Sequence, residues 1–299
     1  MRENYDEVAW YARGNNLSDN EPGHLTGWTR PSGGIATVAK GSWRLWFKSR
    51  LSESHQHADL THVSIRYRDD WLAVDPGTGT YNGPLEIRNS FRTSGAHNGL
   101  RVGDAHILTP HRAFRWLGQP RSADTATFTA EGLTVLFAAH DAFVTEHDTR
   151  VARAVVVSRS GIVCIDWLER SADSTLTVAL APQITLEGTT VRLSDATEIV
   201  AFGLSAAEVN AGSTCPFRGW YSPTYGRWEP AQWLTVRNTA KQTTAWGFYE
   251  HGSALPVCER GAWTVGSVRF SVDFRSKGVE LSILVGGVEH LMNARMYSS

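Results

Sequence analysis

The chain lacks any apolar run long enough to cross a bilayer as a helix, which excludes a helical membrane span. Its first residues, Met1-Arg2-Glu3-Asn4-Tyr5-Asp6-Glu7, lack the apolar stretch of a secretory signal, so the sequence carries no recognisable export address. Cysteine is scarce, with 3 in 299 residues and no Cys-x-x-Cys pair, which removes metal ribbons and dithiol redox motifs from consideration. Cys164 lies in the apolar string Gly161-Ile162-Val163-Cys164-Ile165 and is expected in the core, while a bridge between Cys215 and Cys258 stays open. Net charge is also nearly absent, at -1, so no overall field draws the chain to nucleic acid or an anionic membrane. Lysine is rare as well: of the 29 basic residues, only 4 are lysine. Arginine dominance suits forked recognition of carboxylate or sulfate, but it follows equally from genome base composition. Finally, there is no internal repeat, no low-complexity tract and no convincing long stripe at helical spacing.

What the chain has instead is strand grammar. Short segments rich in Val, Thr, Trp and Phe are separated by turn residues, and 299 residues suffice for one large core. Trp43, Leu45 and Phe47 face one way while Arg44, Trp46 and Lys48 face the other. Val63, Ile65 and Tyr67 repeat the alternation, and a tight turn at Asp69-Asp70 returns the chain through Trp71-Leu72-Ala73-Val74 as a hairpin. Val151 to Ser158, Leu176-Val178-Leu180 and Val268-Phe270-Val272-Phe274 alternate too. The expected fold is all-β, a large multi-stranded antiparallel β-sandwich over residues 25–299. Residues 1–24 form an N-terminal remnant, in which Tyr5, Val8, Ala9 and Ala12 share one face of a short helix. The Asn-, Asp-, Pro- and Gly-containing stretch 15–33 reads as a linker. The aromatic, turn-rich Trp220-Tyr221-Ser222-Pro223-Thr224-Tyr225-Gly226 reads as a surface loop.

The chemistry is concentrated between His55 and Asn98. In an extended strand His55 and His57 point to one face about 7 Å apart. A bare His-x-His also fits a solvated face or hydrogen bonding to backbone. Asp75 stands before Pro76-Gly77, where a strand must stop, and His97 follows a Gly-containing turn. Two imidazoles and one carboxylate make a zinc shell with a fourth position open to water or another group. Asp59 could orient a histidine as a carboxylate acceptor or cap a turn.

The ordered motifs His55-Gln56-His57-Ala58-Asp59, Val74-Asp75-Pro76-Gly77-Thr78 with Tyr81-Asn82-Gly83, Arg88-Asn89-Ser90-Phe91-Arg92 and Ala96-His97-Asn98 resemble the C-terminal β-sheet domain of the heparinase II/III-like polysaccharide lyases. The resemblance is strong over residues 55–98 and looser on either side. It implies cleavage of uronic-acid polysaccharide by β-elimination, between an N-terminal α/α toroid and this sheet domain, in the periplasm or outside the cell. It further implies that His57, Asp75 and His97 hold a structural Zn(2+) while His55 projects into the cleft. There His55 would neutralise the uronate carboxylate or act as base, and Tyr81 would donate to the departing oxygen. Arg88 and Arg92 would fork a carboxylate, and Asn98 would join them in binding substrate. For the arginines, salt bridging within their own loop is an equal expectation. The first 24 residues leave no room for a toroid, so the expected partners are an acidic polysaccharide and a toroid on a separate chain or a missing N-terminal region. Two other classes stay open: a carbohydrate-binding module using tryptophans such as Trp220 and Trp228, and a structural domain whose zinc site only pins loops.

Overall fold

The computed structural model describes residues 34–51, 57–122, 125–130, 132–276 and 278–296, with the backbone of a short strand at Trp28–Thr29. The expected N-terminal helix and His55 lie outside the described residues. Three large antiparallel sheets dominate: one of 5 strands from Trp28 to Ala73, one of 10 strands, and a C-terminal one of 5 strands from Val257 to Arg295.

The sheets stack as three layers, because the central one is apolar on both faces. The strand Val151–Val157 is buried at every position. Val151, Val155 and Val157 pack toward the N-terminal sheet, against a core that includes Trp43, Leu45, Phe47 and Ile65. Ala152, Ala154 and Val156 pack the other way, with Phe270, Leu281 and Ile283 of the C-terminal sheet. A strand covered on both sides reads as a continuous apolar run instead of a one-sided alternation. The outer sheets keep the alternation: Trp43–Lys48 buries Trp43, Leu45 and Phe47 and leaves the residues between them at least partly open. The hairpin between Val63–Tyr67 and Asp70–Ala73 forms, with its turn one residue earlier than expected, where Arg68 takes a positive φ of 51°.

Two long strands, Gly161–Ala179 and Trp233–Glu250, run together through the central sheet and lose register between Trp167 and Ser174. Beyond that irregularity the sheet gains the strand Gly99–Val102, paired from Gly99↔Thr177 to Val102↔Ser174. On this half, Ala179 and Trp233 turn away from the N-terminal sheet and pack on Ala96, just ahead of His97. The candidate site is built on this end of the molecule. The 220–226 segment is here a hairpin of Trp220–Thr224 with Arg227–Pro230, correcting the loop expectation. Cys164 is in the core as expected, and Cys215 and Cys258 are free and exposed.

Candidate metal centre and cleft

The segment after the Asp70–Ala73 strand threads a narrow space. Ser222 donates its backbone N–H to Pro76 at 2.8 Å, and Gly226 donates to Gly79 at 2.7 Å, so the 220–230 hairpin is stitched to the 76–79 loop. Gly77 has φ +79°, and a Cβ there would meet the Ser222 carbonyl oxygen at 2.3 Å. Gly79 has φ +67°, and a Cβ there would strike the Phe91 ring. The Gly-Thr-Gly string is therefore dictated by backbone conformation and by close approach on both sides. Asp75 accepts the Gly77 N–H at 2.9 Å, the local turn bond that fixes its carboxylate at the mouth of this loop.

On this frame His57, Asp75 and His97 converge, with one ligand atom from each lying within 4.8 Å of the others. His97 Nδ1 is 3.1 Å from Asp75 Oδ2, and the His57 and His97 ring centroids are 5.2 Å apart. Ligands about 2.0 Å from a tetrahedral ion stand about 3.3 Å from each other, so the Asp75–His97 separation already matches a shared ion. His97 is buried, and neither of its ring nitrogens has an aligned hydrogen-bond partner. With Nδ1 beside the Asp75 carboxylate, the buried Nε2 is left without any partner, as a nitrogen available to a ligand would be. The donor set of two imidazoles and a carboxylate is one that zinc takes.

Electrostatics favours the same use. Burial pulls the His57 imidazole down to about 3 against the opposing pull of Asp75, leaving it neutral and able to ligate. Burial alone would push Asp75 up, but the charge of His97, with His62 and His57 behind it, holds its carboxyl well below the usual range. Burial likewise opposes charge on His97, yet Asp75 overrides it and raises the imidazole above its ordinary value.

The other expected site residues part company. Arg88, Phe91 and Arg92 form the buried face of a helix, Leu85–Arg92. Arg92 is committed internally: its Nε donates to Asn89 Oδ1 at 2.8 Å, its Nη2 to the Arg112 carbonyl at 2.5 Å, and its guanidinium lies 4.1 Å from the Trp116 ring centroid. Asn98, expected to bind substrate, is fully buried, and its amide N–H donors go to Val63 O at 2.8 Å and Val74 O at 3.0 Å. Its Oδ1 accepts the Ala179 N–H at 2.6 Å. Asn98 thus ties the outer sheet, the Asp75 loop and the central sheet together, with no donor left for a sugar. Tyr81 is 36% exposed and stacks between Phe114 (6.1 Å) and Tyr225 (5.5 Å), themselves exposed. Trp220 and Trp228 are instead half-buried against Phe217, so Tyr81, Phe114 and Tyr225 are the open rings near the site.

The sequence matches the family model "Heparinase II/III-like, C-terminal" over residues 25–249. The chain belongs to this family of polysaccharide lyases. Solved structures of similar fold include the heparan sulfate lyase HepC from Pedobacter heparinus, 14% identical, with 100% of this chain on 49% of that one at a TM-score of 0.59. A heparinase III, the BT4657 gene product, is also 14% identical, with 97% of this chain on 44% of that one at a TM-score of 0.57. At that identity the likeness is one of fold, and this chain spans about half the length of either protein. No curated protein matched the sequence.

Several residues that organise this heparinase II/III-like site were not singled out from the sequence. His62 is buried beside the cluster, its Nδ1 accepting the Asn98 backbone N–H at 3.0 Å and its Nε2 lying 3.0 Å from Ser64 Oγ. An Nδ1 that accepts fixes the proton on Nε2, and burial keeps the ring neutral by pulling it down to about 4, so His62 supports the site without ligating. Asp59, expected to orient a histidine or cap a turn, is the ion-pair partner of Lys48, accepting from its Nζ at 2.7 Å. Beneath both runs the fully buried pair Arg153–Asp166, doubly bonded at 2.7 Å, whose Nη1 also donates to Thr61 O and Asn98 O at 2.7 Å each. This fork holds the neighbours of His62 and His97 in place. A charged pair on adjacent apolar strands is the signal that points to it, since neither charge survives burial alone.

Proposed function

We propose that this chain is the sheet half of a lyase that cleaves uronic-acid polysaccharide by β-elimination, with His57, Asp75 and His97 holding a structural zinc. The observation that carries the reading is the convergence of those side chains, with His97 Nε2 buried and unpartnered, in a heparinase II/III-like domain. Zinc, when bound, would supply a fixed cross-link between the segments that bear its ligands. The chain's own residues would do the rest. Removal of the C5 proton puts negative charge on the uronate carboxylate, the C4–C5 double bond forms, and the bond from C4 to the glycosidic oxygen breaks. The site must therefore neutralise the acid group, take one proton and give one to the leaving oxygen. His55, two residues before His57, is assigned to the carboxylate or the C5 proton, and Tyr81 to the leaving oxygen. The remaining cleft wall would come from an α/α toroid, and without it the oriented partners needed for rapid turnover are incomplete.

The test is to supply uronate polymers together with a toroid-bearing partner and follow the ultraviolet absorbance of the unsaturated product. Absorbance that rises with wild type and not with His55→Ala supports the proposal; no product from a panel of uronate polymers refutes it. A second reading, a binding module without turnover, is favoured by the exposed rings of Tyr81, Phe114 and Tyr225. Glycan binding with no product would select it.

A further inference from the structure

The half of the central sheet beyond the irregularity carries a row of arginines on the face turned away from the N-terminal sheet. Leu100, Val102, Leu176 and Val236 point into the core shared with that sheet, so the alternate residues Arg101, Thr175 and Arg237 point the other way. Thr175 pairs with Arg101 on one side and with Arg237 on the other, which sets the two arginine Cα atoms about 10 Å apart on one face. Two residues further along, Thr177 pairs with Thr235, whose hydroxyl accepts from Arg218 Nη2 at 2.9 Å. Arg218 reaches it from the hairpin of Ser213–Thr214 with Phe217–Arg218. Arginines from three separate segments therefore share this patch, and their charges are not balanced within it. No carboxylate among the described residues pairs with Arg101 or Arg218. Glu208 meets Arg237 only at 3.4 Å, where both are exposed. Burial first, then the charge of Arg218, pulls the Arg101 guanidinium below its ordinary pKa, with Asp104 opposing and Arg237 adding to the pull. Arg101 is half-buried, yet its Nε is fully enclosed and has no hydrogen-bond partner. Beside it on the floor of the patch, Thr177 is 0% exposed and its Oγ1 has no partner either. Enclosed donors left unsatisfied among like charges point to an absent anion.

We propose that Arg101, Arg218 and Thr177 form a binding site for a free inorganic oxyanion, phosphate or sulfate, with Arg237 at its rim. The Arg101 fork supplies charge-assisted donors through Nε and Nη, Arg218 supplies a second guanidinium, and the Thr177 hydroxyl adds a neutral bond. The ligand is a small ion because Nε and the hydroxyl are both shut off from solvent, so the oxygens that meet them are enclosed, where a sugar ring cannot follow. Gly95 backs the site, since a Cβ there would lie 3.6 Å from Arg101 Cζ. The ion therefore ties the turn that leads into His97 to the central sheet and to the 213–218 hairpin. None of the residues assigned to the metal or to proton transfer takes part, so the site stands apart from the lyase reading.

The test is calorimetric titration of the intact chain with phosphate, sulfate and glucose 6-sulfate, at an ionic strength held constant with chloride, alongside melting curves in the same solutions. The wild type should bind one phosphate or sulfate per chain, and its melting temperature should rise with the concentration of that ion. Arg101→Met and Arg218→Met should each weaken binding about tenfold or more, the loss of a charge-assisted fork, while still melting cooperatively in chloride. Thr177→Val, close to isosteric, should weaken it by about threefold. Arg237→Met, at the exposed rim, should weaken binding less than Arg101→Met and reduce its dependence on salt. Should the two inner arginine variants fail to fold, Thr177→Val and Arg237→Met decide the question. No binding of phosphate or sulfate beyond the effect of chloride would overturn the inference, as would unchanged binding by folded Arg101→Met or by both Thr177→Val and Arg237→Met. Tighter binding of glucose 6-sulfate than of either free ion would overturn the assignment to an inorganic ligand.

Discussion

Substitution of Asp166 by Asn should cost more stability than any surface change of equal size. Asp166 and Arg153 are each 0% exposed and share two hydrogen bonds of 2.7 Å. The amide is isosteric with the carboxylate, so no cavity opens, but a guanidinium is left in the core without its counter-charge. Breaking a buried pair in this way costs roughly 3–5 kcal/mol. For a domain of this size each kcal/mol is worth about 2–4 °C, so the melting temperature should fall by about 10 °C. Because Arg153 also donates to Thr61 O and Asn98 O, metal affinity should drop with it. Thermal melts with and without added zinc measure both effects. The double change Arg153→Met with Asp166→Leu removes both charges and should recover most of the stability while leaving the two carbonyls, and hence the metal site, loosened. A melting temperature for Asp166→Asn within about 2 °C of wild type would refute the assignment of this pair as a buried fork.

Other perturbations separate the parts of the site. His57→Ala should lower both zinc content and melting temperature, whereas His55→Ala should spare both and reduce only activity, as metal analysis and melting curves of the two variants would show. Gly77→Ala should destabilise by about 1–3 kcal/mol, through strain at φ +79° and collision with the Ser222 carbonyl, measured by urea denaturation. His140 is buried, with Nδ1 facing the Ala142 N–H at 3.4 Å, and burial pulls its imidazole from 6.5 down to about 4. The unfolded chain therefore takes up the proton first: the stabilisation is complete above about pH 6.5 and is lost as the pH falls toward 4, by up to about 1.4 kcal/mol per unit. A His140→Gln variant should show a correspondingly shallower acid loss in denaturation midpoints across that window; an unchanged slope would contradict it.

Much of this was legible in the residues. The alternation at Trp43, Leu45 and Phe47 matches the observed burial, and the spacing of Asp75 and His97 around turns does bring them beside His57. What escaped had physical reasons. The helix Leu85–Arg92 buries Arg88, Phe91 and Arg92, so its inward face is mostly charged and no apolar stripe betrays it. Val151–Val157 is buried on both faces, and periodicity cannot distinguish one covering layer from two when small alanines fill one side. The 220–230 hairpin is written in turn residues because it must pass tightly over Pro76 and Gly79. His62 stands just before the strand Val63–Tyr67 with no motif around it, and only the backbone N–H of Asn98, 36 positions away, shows its purpose.

The decisive measurement is the metal content of the chain purified without chelator and dialysed exhaustively. About one tightly held zinc per chain is expected, lost in His97→Ala and in Asp75→Ala and removed from wild type by chelation with a fall in melting temperature. Protein that melts identically with and without chelator and holds no divalent ion would contradict the shared-ion centre of His57, Asp75 and His97.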